Sequence, residues 1–92
     1  MRTASKVDAN QRQIVSAFRQ AGASVEILSG VGRGVPDLAI GYHGQDVFVE
    51  VKDKRGTLTP DQIVWHKAWR GRPVAIVRSR MDAVKLLNEM TT

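Results

Sequence analysis

Asp37, Glu50 and Lys52 are the residues whose types and spacing point to joint chemistry. They sit in two short runs, D-L-A-I-G-Y (37–42) and D-V-F-V-E-V-K (46–52), around His43-Gly44-Gln45, and the pattern predicts a β-hairpin. Leu38, Ile40, Val47, Val49 and Val51 must share its core face, because a slip of one residue would expose half of them. With Tyr42 facing Gln45 across the turn, Leu38 faces Val49, Ile40 faces Val47, and Asp37 stands directly opposite Glu50. Lys52 follows on that same face, ~6–7 Å further along.

Directly opposed residues have Cβ atoms ~4.5–5.5 Å apart, where like charges repel. Two such carboxylates either share a proton or bind a cation. Mg²⁺ takes oxygen ligands, commonly one or two carboxylates with waters and substrate phosphates. Lys52 adds positive charge where a phosphate would arrive, so the set suits metal-assisted phosphodiester hydrolysis, with the lysine steadying developing negative charge. A solvated charged face on a half-exposed hairpin accounts for the same spacing equally well.

Elements on either side must hold this hairpin. Val7, Ile14, Phe18 and Ala21 form a helical stripe over residues 7–21, closed by Gly22, and Gln11 is a polar member of it. Residues 24–28 read as a first strand, followed by S-G-V-G-R-G-V-P (29–36) as a glycine-rich loop. After the hairpin, K-D-K-R-G-T-L (52–58) is a basic loop. A helix then starts on clear signals: Thr59 as N-cap, Pro60 in the first turn, and Gln62 completing a T-x-x-Q capping box, with Leu58 and Ile63 placed as a hydrophobic staple. It is expected to run to about Arg70, where Gly71 stops it. P-V-A-I-V-R (73–78) reads as a buried fourth strand, parallel to the third through the helical connection. A last helix over 80–90 carries Val84, Leu87 and Met90 inward. The order is α-β-β-β-α-β-α, a small mixed sheet flanked by helices in one domain spanning residues 1–92.

Composition narrows the function classes. The 92 residues carry no cysteine, which excludes disulfide scaffolds, thiolate zinc sites and cysteine nucleophiles. No apolar run approaches the ~20 residues of a membrane span and no signal-peptide core opens the chain, so an intracellular protein without a membrane partner is expected. The net charge is +5, with nine of fourteen cations arginine, a footprint suited to nucleic acid but shared with many small basic domains. A domain of this size buries only ~60–65% of its unfolded surface, so a partner subunit would stabilise it. The glycines of 30–34 lack the G-K-[S/T] of a phosphate loop and lead into a strand; they let the backbone bend or approach DNA, with Arg33 a candidate phosphate contact or a plain surface residue. Lys54 and Arg55 either grip the DNA backbone or belong to a solvated loop. His43 reads as a surface histidine. Trp65 and Trp69 read as core or subunit interface, and base stacking would require their exposure.

G-V-P-D-L (34–38) followed by F-V-E-V-K (48–52) resembles the P-D…(D/E)-x-K signature of restriction-endonuclease-like nucleases. The continuation L-T-P-D-Q-I-V-W-H (58–66) is similar to the virus-type replication-repair nuclease domain, VRR-Nuc, in its stand-alone phage form. The resemblance covers residues 34–69 by motif and nearly the whole chain by element order. It implies a restriction-endonuclease-like core and a metal-dependent DNA endonuclease, with Asp37, Glu50 and the Val51 carbonyl as ligands to Mg²⁺ or Mn²⁺ and Lys52 as the catalytic lysine. No organic cofactor is implied. Gln62 matches the family's helix glutamine, which contacts the metal-bound water or the DNA, although the capping box alone accounts for it. His66 follows the family pattern, and an amphipathic helix face accounts for it too. Gln11 stands where related nucleases place a glutamate, so it becomes a candidate for holding a metal-bound water. Stand-alone members resemble Holliday-junction resolvases, which implies a homodimer acting on four-way junctions in a phage host's cytoplasm. Flap or nicking cleavage is the second substrate reading. A non-catalytic DNA-binding module gripping phosphates through Arg12 and Arg19 is the rival from another class.

Overall fold

The computed structural model describes residues 5–91, with side chains from residue 9 onward. Its elements run α1 (Ser5–Gln20), β1 (Ser24–Ile27), β2 (Leu38–Tyr42), β3 (Gln45–Val51), α2 (Pro60–Ala68), β4 (Ala75–Val77) and α3 (Arg80–Glu89). The order matches the expectation, as does the mixed α/β class. One four-stranded sheet is ordered β1-β2-β3-β4, antiparallel through β3, with β4 parallel to β3.

The hairpin has the register that its period-2 pattern demanded: Leu38 opposite Val49, Ile40 opposite Val47, Tyr42 opposite Gln45. His43 (φ 52°) and Gly44 (φ 75°) form the tight turn, both in the left-handed conformation that a two-residue hairpin loop needs. Ile14 and Phe18 of α1 and Leu86, Leu87 and Met90 at the end of α3 bury against Leu38, Ile40, Val47, Val49 and Val77. α1 and α3 thus pack together over one face of the sheet. No helix among the described residues is long and apolar enough to cross a membrane.

Four expectations change. The stripe of α1 holds at Ile14 and Phe18, but Ala21 lies past the helix end and is exposed, and the side chain of Val7 is outside the described residues. In α3 the inward residues are Ala83, Leu86 and Leu87, while Val84 is 46% exposed. A 3.6-residue period puts Val84 ~100° from Ala83, on the wrong side of the axis. β4 is an edge strand, and Ile76 on its outward side is 41% exposed. An apolar run alone does not distinguish an edge from a buried centre. Finally, α2 ends at Ala68 and Trp69 turns extended (φ −69°, ψ 125°), so the helix stops before Gly71. Gly71 instead makes room for an indole: a Cβ there would lie 2.8 Å from Trp69 Nε1.

Candidate active site

α2 crosses the sheet face opposite α1 and α3, and it does so without a single buried residue. Its first turn is fixed by the capping box: Thr59 Oγ1 accepts from the Gln62 amide N–H (3.3 Å), and Gln62 Oε1 accepts from the Thr59 N–H (2.9 Å). Gly34 packs beneath that turn at φ 82°, and a Cβ on it would meet the Asp61 carbonyl oxygen at 2.3 Å. The close approach permitted by this glycine is therefore to α2.

Glu50 lies under α2 at 1% exposure, the one buried charged side chain among the described residues. Gln62 Nε2 donates to its Oε2 (3.1 Å), and His66 Nε2 lies 3.1 Å from its Oε1. Gln62 thus caps the helix through its oxygen, as the T-x-x-Q pattern indicated, while its nitrogen holds the Glu50 carboxyl, a contact that the sequence did not indicate. Asp37, at the entry to β2, accepts the Val51 N–H on Oδ2 (2.8 Å) and hydrogen-bonds the Glu50 carboxyl. Burial, then the hydrogen bond and negative charge of Asp37, push the Glu50 carboxyl up to about 8, against the opposing pull of Lys52. Burial, then the Lys52 charge, holds His66 below the usual histidine value.

Asp37, Glu50 and Lys52 thus meet as the hairpin register required, joined by Gln62 and His66. The donor chemistry fits a hard divalent cation. Burial and the adjoining Asp37 carboxylate favour the protonated Glu50, and a divalent ion bound between the two carboxyl groups would take that proton's place. No cluster of three or more His, Cys, Asp or Glu side chains spaced to hold a metal occurs among the described residues.

The remaining candidates are distributed around this centre. Gln11 does not join it: its amide nitrogen donates to Ser29 Oγ (2.8 Å) and its oxygen accepts from the same hydroxyl (3.2 Å), tying α1 to the glycine-rich loop. The α1 residue that reaches the motif is its neighbour Asn10, whose Nδ2 donates to the Lys52 carbonyl (3.3 Å). Arg33 is exposed with a left-handed backbone (φ 55°). Lys54 and Arg55 are exposed on a loop closed by Asp53 Oδ1, which accepts from the N–H groups of Arg55 (3.0 Å) and Gly56 (2.7 Å). Arg78 Nη1 pins that loop by donating to the carbonyls of Asp53 (2.7 Å) and Gly56 (2.8 Å). Sequence reasoning missed Asn10 and Arg78. Only their tertiary position gives them a role, and no local pattern marks either.

Among solved structures, a chain described as "VRR_NUC domain" is 34% identical and superposes with a TM-score of 0.71, covering 88% of this chain and 92% of that one. No family model and no curated protein matches the sequence. Identity of this order, held over nearly the full length of both chains with the same arrangement of elements, shows that the chain belongs to the VRR_NUC family, a nuclease family of the restriction-endonuclease-like fold.

Proposed function

We propose that the protein is a divalent-metal-dependent, structure-selective DNA endonuclease that cleaves four-way junctions as a homodimer. The observation that carries this reading is the buried Glu50 carboxyl against Asp37, with Lys52 on the same face. Asp37, Glu50 and the Val51 carbonyl would hold Mg²⁺ or Mn²⁺. The ion supplies Lewis-acid activation of water and neutralises charge on the phosphate. Gln62 and His66 fix the Glu50 carboxylate so that it does not reorganise during reaction. Lys52 places an ammonium beside the scissile phosphate, where negative charge grows. Asn10 holds the backbone from which Lys52 projects. Arg33, Lys54 and Arg55 supply phosphate contacts, with Arg78 keeping Lys54 and Arg55 on a fixed loop. A small domain with basic loops suits reading branched shape, and a two-fold dimer would present one site to each of two symmetric strands.

Incubation of the purified protein with labelled four-way junction, flap and duplex, in Mn²⁺ or EDTA, tests the proposal. Paired cuts in the junction that require the metal are expected. Preference for flaps or nicked duplex would reassign the substrate, and binding without cleavage under any divalent ion would refute catalysis.

A further inference from the structure

Trp69 is 42% exposed although its ring is fixed on several sides. It stacks on Trp65 (centroids 5.0 Å, interplanar angle 11°), meets the edge of Phe48 (4.9 Å, 84°) and folds back over Gly71. The ring and Phe48 form one wall of a groove of ≈ 550 Å³ across the open sheet face, floored by Ser24, Ala39 and Gly41. Small residues leave this floor uncovered, and α1 and α3 lie on the other side. Phe48 precedes Glu50 by two residues on the same face of β3, so the backbone positions of the groove wall and of Glu50 are ~6–7 Å apart. That is about the reach from a phosphate to the base of an adjoining nucleotide.

On the reading of the site as a nuclease, we infer that this groove receives one unpaired nucleobase next to the scissile phosphate, stacked on Trp69. A preordered aromatic face loses little entropy on stacking, and every base offers it a π-surface. The charges in the groove favour a base over backbone. Glu26 and Asp46 line it and would repel a phosphate, whereas carboxylates accept hydrogen bonds from exocyclic amino groups of bases. Arg72, on the rim, is held to Gln45 Oε1 (3.1 Å). Base pairs at a branch point lack one stacking neighbour and open at lower cost than those of intact duplex, so a groove that takes up an opened base is a means of selecting branched DNA.

The chain has two tryptophans, which makes the test direct. In Trp65→Phe, Trp69 is the sole indole emitter. With Ca²⁺ replacing Mn²⁺ to prevent cleavage, four-way junction should quench this emission. The same junction with an abasic residue next to the cut should quench it much less. Trp69→Ala should weaken junction binding ~5- to 100-fold, the range of one base–aromatic stack, and raise KM more than it lowers kcat. Trp69→Phe should retain most of the affinity, which separates stacking from a folding defect. Equal quenching by intact and abasic junctions, or Trp69→Ala binding like wild type, would overturn the inference while wild-type cleavage leaves the nuclease reading standing. Loss of dimer in Trp69→Ala, together with equal affinity of that variant and wild type for the abasic junction relative to the intact one, would assign the surface to a second copy and also overturn it. A wild-type protein that cleaves no DNA overturns both.

Discussion

Glu50 makes the metal-free fold sensitive to pH in a direction opposite to that of most carboxylates. Its acid is held up to about 8 from 4.5, and its side chain is 1% exposed, so solvent screens little of the effect. Below pH 4.5 the group is neutral whether the chain is folded or not, and it costs nothing. Between 4.5 and 8 the unfolded chain ionises while the folded one keeps the proton. The folded state then binds more protons, and stability falls as pH rises. Above 8 the full cost is present. At ~1.4 kcal/mol per pH unit the gap amounts to ~5 kcal/mol, comparable to the whole stability of a small domain. Roughly 3 kcal/mol of that cost falls between pH 5.5 and 9, so thermal melts in EDTA at those two pH values should show the wild type losing roughly 12–25 °C, at ~4–8 °C per kcal/mol. Glu50→Gln keeps the shape without the charge and should flatten that loss. His66, held below its usual value, contributes the opposite slope below pH 6.5, so the difference between wild type and variant is the quantity to read. Adding Mg²⁺ or Mn²⁺ should restore wild-type stability far more at pH 9 than at 5.5, and should do little for Glu50→Gln. Parallel pH profiles for the two proteins in EDTA would refute the placement of Glu50 in a buried, carboxylate-paired site.

Three further perturbations follow from the same geometry. Asp37→Asn retains an acceptor for the Val51 N–H but removes the charge; it should abolish metal-dependent cleavage while DNA binding, followed by gel shift, stays near wild type. Lys52→Met should lower the saturated cleavage rate ~10²- to 10³-fold, the cost of one preorganised electrostatic contact, with metal affinity by titration changed far less. Gly34→Ala combines a left-handed backbone with a Cβ 2.3 Å from the Asp61 oxygen, so melts should show a loss of roughly 2–4 kcal/mol, whereas Gly30→Ala, with open space around it, should be neutral.

Legibility from sequence depended on whether a residue's role is local. The hairpin and the meeting of Asp37 with Glu50 were readable because alternation against one buried face admits one register. The cap of α2 was readable because Thr59 and Gln62 bond each other across one turn. Burial of Glu50 was not, since it sits on the outward face of β3 and is covered only when α2 folds back over it. Asn10 and Gln11 are adjacent, yet one helical step turns a side chain by ~100°, which sends one to Lys52 and the other to Ser29. Val84 and Ile76 were misplaced for a related reason: apolar type records a tendency to be buried, and the edge of a small sheet leaves some of that tendency unmet.

The attachment of α2 explains why site and fold cannot be separated here. With no buried residue, the helix has little hydrophobic anchoring of its own. It is held from below by the contact of Gly34 with its first turn, by Gln62 and His66 on the two oxygens of Glu50, and by Trp65 and Trp69 against Phe48. Two of these three attachments end on outward residues of β3, and one of them ends on Glu50 itself. Removing a proton from Glu50 places a charge in the contact that holds the helix, and a divalent ion bound there would offset that charge. On the proposed metal reading, an ion that bound only the folded arrangement would stabilise it by mass action and so link occupancy to docking of α2. The residue that follows the helix, Trp69, lies along the wall of the groove. Order imposed at Glu50 by a bound ion would extend through one short helix to the surface on which an opened base would rest, and so would join metal binding to recognition of the branch.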